Sequence, residues 1–168
     1  MNYSLTPAAA PSMSDQVEAR LAQAGLMLPK PSKPVGMYAS AVRSGNLLFV
    51  SGHGPLKADR TLVRGRVGET LTIVEAAEAA RVTAINMLAT VEVAVGSLDQ
   101  VVRVVKVLGL VRAVPDFTDQ PRVIDGFSEV MRIAFGDPAG MSARSAIGVT
   151  SLPDGICVEV EAIFEIRD

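Results

Sequence analysis

The sequence predicts a two-layer α+β domain in which two helices pack on one face of a mixed sheet. The first observation behind this prediction is the order of the patterns, β-β-(β)-α-β-α-β-β, which follows a short leading helix. The second is size and composition: 168 residues, 49% hydrophobic and 20% charged, suit one globular domain with its own core. The third is the aromatic content of 4% with no Trp, so Ala, Val, Ile and Leu must fill that core.

The N-terminal part of the chain is predicted to consist of a tail, a short helix and a linker. Residues 1–12 are rich in Ala, Pro and Ser and are expected to be a flexible tail, so that residues 13–168 form the single domain. Residues 14–26 have the apolar spacing of a short amphipathic helix, with Ser14 as its N-cap. Three prolines then predict an extended linker at residues 28–36.

The first strands are predicted around a tight turn. Residues 44–46 read Ser-Gly-Asn, a hairpin-type turn between strand candidates at residues 38–42 and 47–51. A third short strand is expected within residues 61–67.

The middle of the chain predicts a helix, a strand and a second helix. Residues 69–96 form the clearest helical pattern, with Thr70 as the expected N-cap and Gly96 as the expected stop. Its apolar face consists of Ile73, Ala77, Ala80, Ala84, Met87, Leu88 and Val91. The Val-rich residues 99–114 favour a long strand, and residues 118–136 predict the second helix, with a proline in its first turn.

The C-terminal residues 142–166 predict a hairpin with its turn at residues 152–155. Counting by twos, one face of the last strand turns toward the helices and consists of Ile156, Val158, Val160, Ala162, Phe164 and Ile166. The other face consists of Cys157, Glu159, Glu161, Ile163 and Glu165. This turn would place Arg144 opposite Ile163, on the same face as the glutamates.

Two interpretations of that charged face stay open from spacing alone. The charges are either solvated or paired as structural salt bridges at a subunit interface, and exposed pairs of this kind contribute little stability. Alternatively, the Arg144 guanidinium binds a substrate carboxylate while a nearby carboxylate handles water or protons.

Composition excludes several classes of function. The chain has 16 basic and 18 acidic residues and no Lys/Arg run, which argues against nucleic-acid binding. The single cysteine, Cys157, excludes an intramolecular disulfide and fits a reducing cytoplasm, and one His with one Cys is too few for a structural zinc site. No apolar run approaches the roughly 20 residues of a membrane span.

Two stretches carry a resemblance to a known family. "SGNLLFVSGHGPL" and "ARSAIGVTSLPDGICVEVEAIFEI", with the strand and helix order between them, resemble the reactive intermediate deaminase family (Rid, also RidA/YjgF/L-PSP), over residues 34–166. The pattern ARSA-x-GV-x-x-LP…VEVEA is the specific part. The resemblance implies a chorismate-mutase-like fold, three subunits whose sheets form a central barrel, and ligand clefts between subunits.

The resemblance also implies roles for individual residues. Arg144 matches the family arginine that binds the substrate carboxylate, and Glu159 matches the acid that acts through water. The expected substrate-binding positions are Tyr38, Ser51, Gly52, His53 and Ala146. The last two depart from the RidA type, which usually has Gln and often has Cys there, so the chain resembles a divergent, longer subgroup.

Two residues, His53 and Cys157, have a structural interpretation as well as a functional one. His53 is either a surface or hydrogen-bonding group or a proton-transfer group, since an unperturbed imidazole titrates near pH 6.5. Cys157 is either a small buried apolar residue or a reactive thiol.

The expected activity is hydrolysis of 2-imino acids, such as 2-iminobutanoate and 2-iminopropanoate, to 2-keto acids and ammonia, without a cofactor. The alternative is a non-catalytic trimer that binds small carboxylate metabolites in the same cleft. A ribonuclease is disfavoured by the acidic pI of about 5.5 and the lone histidine.

Overall fold

The computed structural model describes residues 16–34 and 36–168. Its helices are α1 (Gln16–Gln23), α2 (Ile73–Val95) and α3 (Gln120–Phe135), and its strands are β1 (Ala41–Ser44), β2 (Leu47–His53), β3 (Val101–Arg112), β4 (Ala143–Val149) and β5 (Val158–Ile166). The five strands form one mixed sheet in the order β1-β2-β5-β3-β4. The core lies between this sheet and helices α2 and α3. The predicted α+β class is confirmed.

Helix α2 begins two residues later than the sequence pattern predicts. Thr72, and not Thr70, is the N-cap: its hydroxyl accepts from the backbone N–H of Glu75, whose carboxylate accepts from the backbone N–H of Thr72. Thr70 instead accepts from the backbone N–H of Arg66. The predicted stop is confirmed, because Gly96 has φ 83° and its N–H donates to the helix.

Small residues let α2 and α3 approach each other closely. A Cβ on Gly126 of α3 would lie 2.1 Å from the carbonyl oxygen of Ala77 in α2. Only glycine therefore fits at this crossing. The close contact fixes α3 over the sheet, and α3 carries two of the polar groups described below.

The first hairpin is shorter than predicted at its start. β1 begins at Ala41, and Tyr38 lies in a bend before it. The third strand expected within residues 61–67 is reduced to isolated bridges through Leu62, Arg64 and Val67.

The predicted C-terminal hairpin is wrong. β4 pairs with β3 in parallel, and β5 pairs with β3 antiparallel on its other side. The reason is α3, which carries the chain from the C-terminal end of β3 back to the opposite end of the sheet. β4 therefore runs in the same direction as β3, as a parallel connection requires. Arg144 therefore lies opposite Val107, which lies opposite Ala162, and all three side chains share the helix-facing side. Arg144 does not share a face with the glutamates.

The alternation predicted for β5 itself is confirmed. Its helix-facing side chains are buried, namely Val158, Val160, Ala162, Phe164 and Ile166. Cys157, which was predicted on the face of the glutamates, precedes the strand and is instead fully buried in the core. We call the other side of the sheet the open face; it carries Phe49, Leu108, Leu110, Ile147, Glu159, Glu161 and Ile163. Phe49 is 42% exposed and Ile147 is 48% exposed, so apolar side chains stand beside the two glutamates on this face and are uncovered within the described chain.

Helix α1 is attached to the body by its apolar face and its N-terminus. Val17 and Leu21 are buried, and the Asp99 carboxylate accepts from the backbone N–H groups of Gln16 and Val17 at 3.0 and 3.3 Å. The predicted N-cap Ser14 and the predicted tail lie outside the described residues. None of the helices in the described part of the chain has the length and apolarity that crossing a membrane requires.

Candidate active site

Glu159 lies directly against the backbone of Gly52. A Cβ built at position 52 would lie 2.1 Å from Glu159 Oε1, a distance that no side chain allows. Gly52 sits in a register shift of β2, between Val50 and His53, where the strand departs from regular pairing with β5. The glycine and the irregular strand together create the space that the carboxyl occupies.

This position changes the acidity of Glu159. Burial raises the pKa of the Glu159 carboxyl above its ordinary value, and the nearby charge of Glu161 raises it further. The carboxyl is half-buried on the open face and therefore holds its proton more strongly than a solvated glutamate. A carboxyl of this kind suits proton transfer to or from a bound molecule.

Two more of the predicted site residues lie beside this pair. Ser51 Oγ donates to the carbonyl of Ala39 at 2.7 Å, and the Ser51 N–H donates to the carbonyl of Ser40 at 3.0 Å. These bonds hold the segment before β1 next to β2. Tyr38 directly precedes that segment and is 53% exposed. The structure thus places Gly52 against Glu159, Ser51 next to Gly52, and Tyr38 at the start of the segment that Ser51 binds.

Both ring nitrogens of His53 form hydrogen bonds within the subunit. His53 pairs with Val160 and so faces the helices. Its Nδ1 lies 2.7 Å from the Ser51 carbonyl oxygen, which only accepts, so Nδ1 carries the proton; its Nε2 lies 2.8 Å from the Thr90 hydroxyl. Burial lowers the pKa of His53, and the bond to the Ser51 carbonyl partly offsets this. The hydrogen-bonding interpretation of this histidine is the one that the geometry supports.

Arg144 lies on the edge strand β4 and points toward α3. Its Nη1 donates to Asp125 Oδ1 at 2.8 Å and to Ser128 Oγ at 2.9 Å, and its side chain is 24% exposed. It forms part of the wall of a groove of about 770 Å³ between α2, α3 and the start of β4. Apolar side chains of Ile73 and Met141 line other parts of the same groove.

One chain keeps the two predicted catalytic residues apart. Glu159 lies opposite Leu110 on the open face, whereas Arg144 lies on the helix-facing side of β4, with β3 between their strands. Two strand spacings alone separate them by roughly 10 Å. Ala146 shares the side of Arg144, opposite Gly109. The predicted residues therefore form two groups, Glu159 with Gly52 and its neighbours, and Arg144 with Ala146.

Comparison with known proteins identifies the family to which this fold belongs. Residues 18–160 match the family described as "YjgF/chorismate mutase-like, putative endoribonuclease". The chain belongs to this family. It is 39% identical over 92% of its length to protein TCP17 of Trypanosoma cruzi, covering 97% of that protein. It is 33% identical over 83% of its length to the 2-iminobutanoate/2-iminopropanoate deaminase of Dermatophagoides farinae, covering 93% of it.

A solved structure supports the same conclusion. The Agrobacterium tumefaciens protein Atu1372, described as having unknown function, is 40% identical and superposes with a TM-score of 0.83. The match covers 92% of this chain and 94% of that protein. The chorismate-mutase-like fold of this Rid-family chain is therefore confirmed.

Two groups next to Arg144 were missed by sequence reasoning. Asp125 and Ser128 are three residues apart on α3, a spacing that places both on one helix face. That spacing was a usable signal, but its connection to Arg144 depends on the parallel pairing of β4, which was not predicted.

The environment of Cys157 in this Rid-family chain does not favour a reactive thiolate. Cys157 is fully buried, and burial raises the pKa of its thiol to about 11. The thiol is therefore neutral at physiological pH, which supports the apolar packing interpretation. Within residues 16–34 and 36–168, no three His, Cys, Asp or Glu side chains are grouped so that they could hold a metal ion.

Proposed function

We propose that this Rid-family chain is a cofactor-free deaminase that hydrolyses small 2-imino acids, such as 2-iminobutanoate and 2-iminopropanoate, to 2-keto acids and ammonia. The observation that carries the proposal is the Glu159 carboxyl, half-buried against Gly52 with its pKa raised. Such a group takes a proton from water and returns it to the leaving nitrogen, which is the chemistry that imine hydrolysis requires.

The proposed reaction assigns a role to each group. The Arg144 guanidinium binds the substrate carboxylate, and Glu159 orients and deprotonates a water molecule. The water oxygen bonds to the imine carbon and gives a tetrahedral carbinolamine. The proton that Glu159 took from water passes to nitrogen and completes the carbinolamine. Glu159 then takes the hydroxyl proton and delivers it to the same nitrogen, so the carbon–nitrogen bond breaks and ammonia leaves as the carbonyl forms.

This chemistry needs both groups at one ligand, so the proposal includes a homotrimer with its clefts between subunits. Two features support it. Arg144 lies at the exposed edge of the sheet, available to a neighbouring subunit, while Glu159 lies on the open face. That face exposes Val42 at 55%, together with Phe49 and Ile147, as a surface that another copy would cover. Light scattering at micromolar concentration is expected to give a trimer mass, and a monomer mass would overturn the shared cleft.

A second candidate is the non-catalytic trimer that binds small carboxylate metabolites. The observation in its favour is that the two positions at which this chain departs from the RidA type, His53 and Ala146, offer no side-chain group that is free to react. Both ring nitrogens of His53 are engaged within the subunit, and Ala146 carries only a methyl group. Binding by Arg144 would then take place without turnover.

One experiment separates the two. 2-Iminobutanoate is generated in situ, and the appearance of ammonia and 2-ketobutyrate is followed with and without the purified protein. The deaminase is expected to exceed the spontaneous rate, and Arg144→Ala is expected to remove the acceleration. The matched control is Arg132→Ala, which removes another groove arginine that pairs with Asp137. A wild-type rate equal to the spontaneous rate, with binding of 2-ketobutyrate retained, would favour the binder.

A further inference from the structure

The Arg144 guanidinium is held through only one of its three nitrogens. Nη1 carries two hydrogens, and its two hydrogen bonds go to Asp125 Oδ1 and Ser128 Oγ on α3. Within the described chain, Nε and Nη2 of Arg144 have no hydrogen-bond partner. The guanidinium plane is thus fixed while part of its donor capacity stays free.

The free donors determine how a carboxylate approaches. A carboxylate binds a guanidinium with two parallel hydrogen bonds, either to the Nη1 and Nη2 end or to the Nε and Nη2 side. Because Nη1 of Arg144 is occupied by Asp125 and Ser128, the end is not available. The side formed by Nε and Nη2 remains, and it is already oriented before the ligand arrives.

Asp125 also changes the charge of this site. It places one negative charge 2.8 Å from the arginine, so the pair is neutral before a ligand binds. A ligand with one carboxylate gives the site a charge of −1. A ligand with a second carboxylate would bring another negative charge close to Asp125, which is unfavourable at short range even near a surface.

The rest of the groove offers no compensating cation. Its other arginines are already paired within the described residues: Arg81 with Glu78 and Glu129, Arg122 with Asp119, and Arg132 with Asp137. A second carboxylate on a ligand would therefore find only acids or paired arginines. The apolar Ile73 and Met141 instead suit an uncharged side chain.

We propose that Asp125 is a positioning and specificity-determining residue, which holds Arg144 for side-on binding of monocarboxylates and excludes dicarboxylates. The inference rests on the proposed function, because it takes Arg144 as the group that binds the substrate carboxylate. Ser128 shares the positioning role but carries no charge, so it contributes nothing to the exclusion.

Calorimetric titration with two 2-keto acids tests this role. The ligands are 2-ketobutyrate, with one carboxylate, and 2-ketoglutarate, with two. Wild type is expected to prefer 2-ketobutyrate. Asp125→Asn keeps an oxygen that accepts from Nη1 but removes the negative charge, so the affinity for both acids should rise, and the affinity for 2-ketoglutarate should rise by about tenfold more than that for 2-ketobutyrate. Asp125→Ala releases the guanidinium and should weaken both ligands.

The controls separate this inference from the proposed function. Asp116→Asn removes an exposed carboxylate that, within the described chain, neither lines the groove nor pairs with one of its arginines, and it should leave the ligand preference unchanged. The preference of wild type should also shrink at high salt, because it is electrostatic. An unchanged preference in Asp125→Asn, or full affinity in Asp125→Ala, would overturn the inference alone. Wild type that binds neither acid would overturn the carboxylate site itself. Thermal melts establish that each variant is folded.

Discussion

Glu159 Oε1 occupies the space that a side chain at position 52 would need, because a Cβ on Gly52 would lie 2.1 Å from it. The position of the Glu159 carboxyl therefore depends on the absence of a side chain at position 52. Any residue larger than glycine at this position must move the glutamate or the strand.

Gly52→Ala is expected to displace the Glu159 carboxyl and to reduce imine hydrolysis by about 100-fold or more, as the loss of a general base does. Steady-state deaminase assays measure the effect. The control is the double variant Gly52→Ala/Glu159→Gln, which should be no slower than Glu159→Gln alone because the two changes remove the same group. A Gly52→Ala variant with the wild-type rate would show that the carboxyl position is unimportant.

Glu159→Gln is expected to abolish most activity and to raise the melting temperature at pH 7. The raised pKa means that the unfolded chain releases the Glu159 proton at lower pH than the folded chain does. Stability therefore falls as the pH rises from the ordinary glutamate pKa to the raised one, and the loss persists above it. The advantage of the Gln variant should disappear below about pH 4.

The matched control for that variant is Glu161→Gln, which changes an exposed neighbour on the same strand. It should retain activity. A Glu159→Gln protein that melts below wild type at neutral pH would contradict the assignment of a burial cost to this carboxyl.

Arg144→Lys is expected to weaken the affinity for 2-ketobutyrate by at least about tenfold, almost as much as Arg144→Ala does. Lys keeps the charge and can still pair with Asp125, but it lacks the planar fork that holds both carboxylate oxygens. Calorimetric titration with thermal melts measures binding and stability together. If both variants bind normally and only Ala melts early, Arg144 is a structural ion-pair residue.

The only histidine of the sequence should produce a loss of stability in mild acid. Burial lowers the pKa of His53 in the folded state, so its stabilising contribution is complete above about pH 6.5 and is lost as the pH falls below that value. Thermal melts between pH 7.5 and 5 should show this slope, and His53→Gln should remove it. Thr90→Val leaves Nε2 without its partner and should cost about 1–3 kcal/mol at pH 7. A slope that persists in His53→Gln would assign it to carboxylates.

Removal of residues 1–12 is expected to leave assembly and melting unchanged, because their composition offers little apolar surface to bury. Removal of residues 1–23 should destabilise the protein by about 3 kcal/mol or more, because Val17 and Leu21 are buried. Chemical denaturation of the two truncated forms measures the difference. A large loss in the shorter deletion would show that the tail packs on the body.

The parts of the fold that could be predicted are those fixed by local sequence. The Gly96 stop, the alternating burial of β5 and the β1–β2 turn follow from backbone conformation and side-chain period over a few residues. The position of β4 could not be predicted in this way. An antiparallel hairpin and a parallel return through α3 give residues 142–166 the same alternation, and only the packing of α3 distinguishes them.

The same limit applies to the candidate site. The resemblance supplied both Arg144 and Glu159, and Glu159 lies against Gly52, another residue that the resemblance supplied. The side of the sheet that Arg144 occupies was predicted wrongly, because one change in strand pairing moves a side chain to the opposite face. Asp125 and Ser128 became recognisable only once that side was known.

The place of β5 in the sheet also determines when the fold can form. It is the last strand of the chain, yet it lies between β2 and β3 and pairs with both. During synthesis the hairpin of β1 and β2 and the unit of β3, α3 and β4 are therefore unconnected sheets with exposed edges, which are prone to pair wrongly. The two halves join only when β5 has left the ribosome, so the folding of this domain is expected to wait for the last of its five strands.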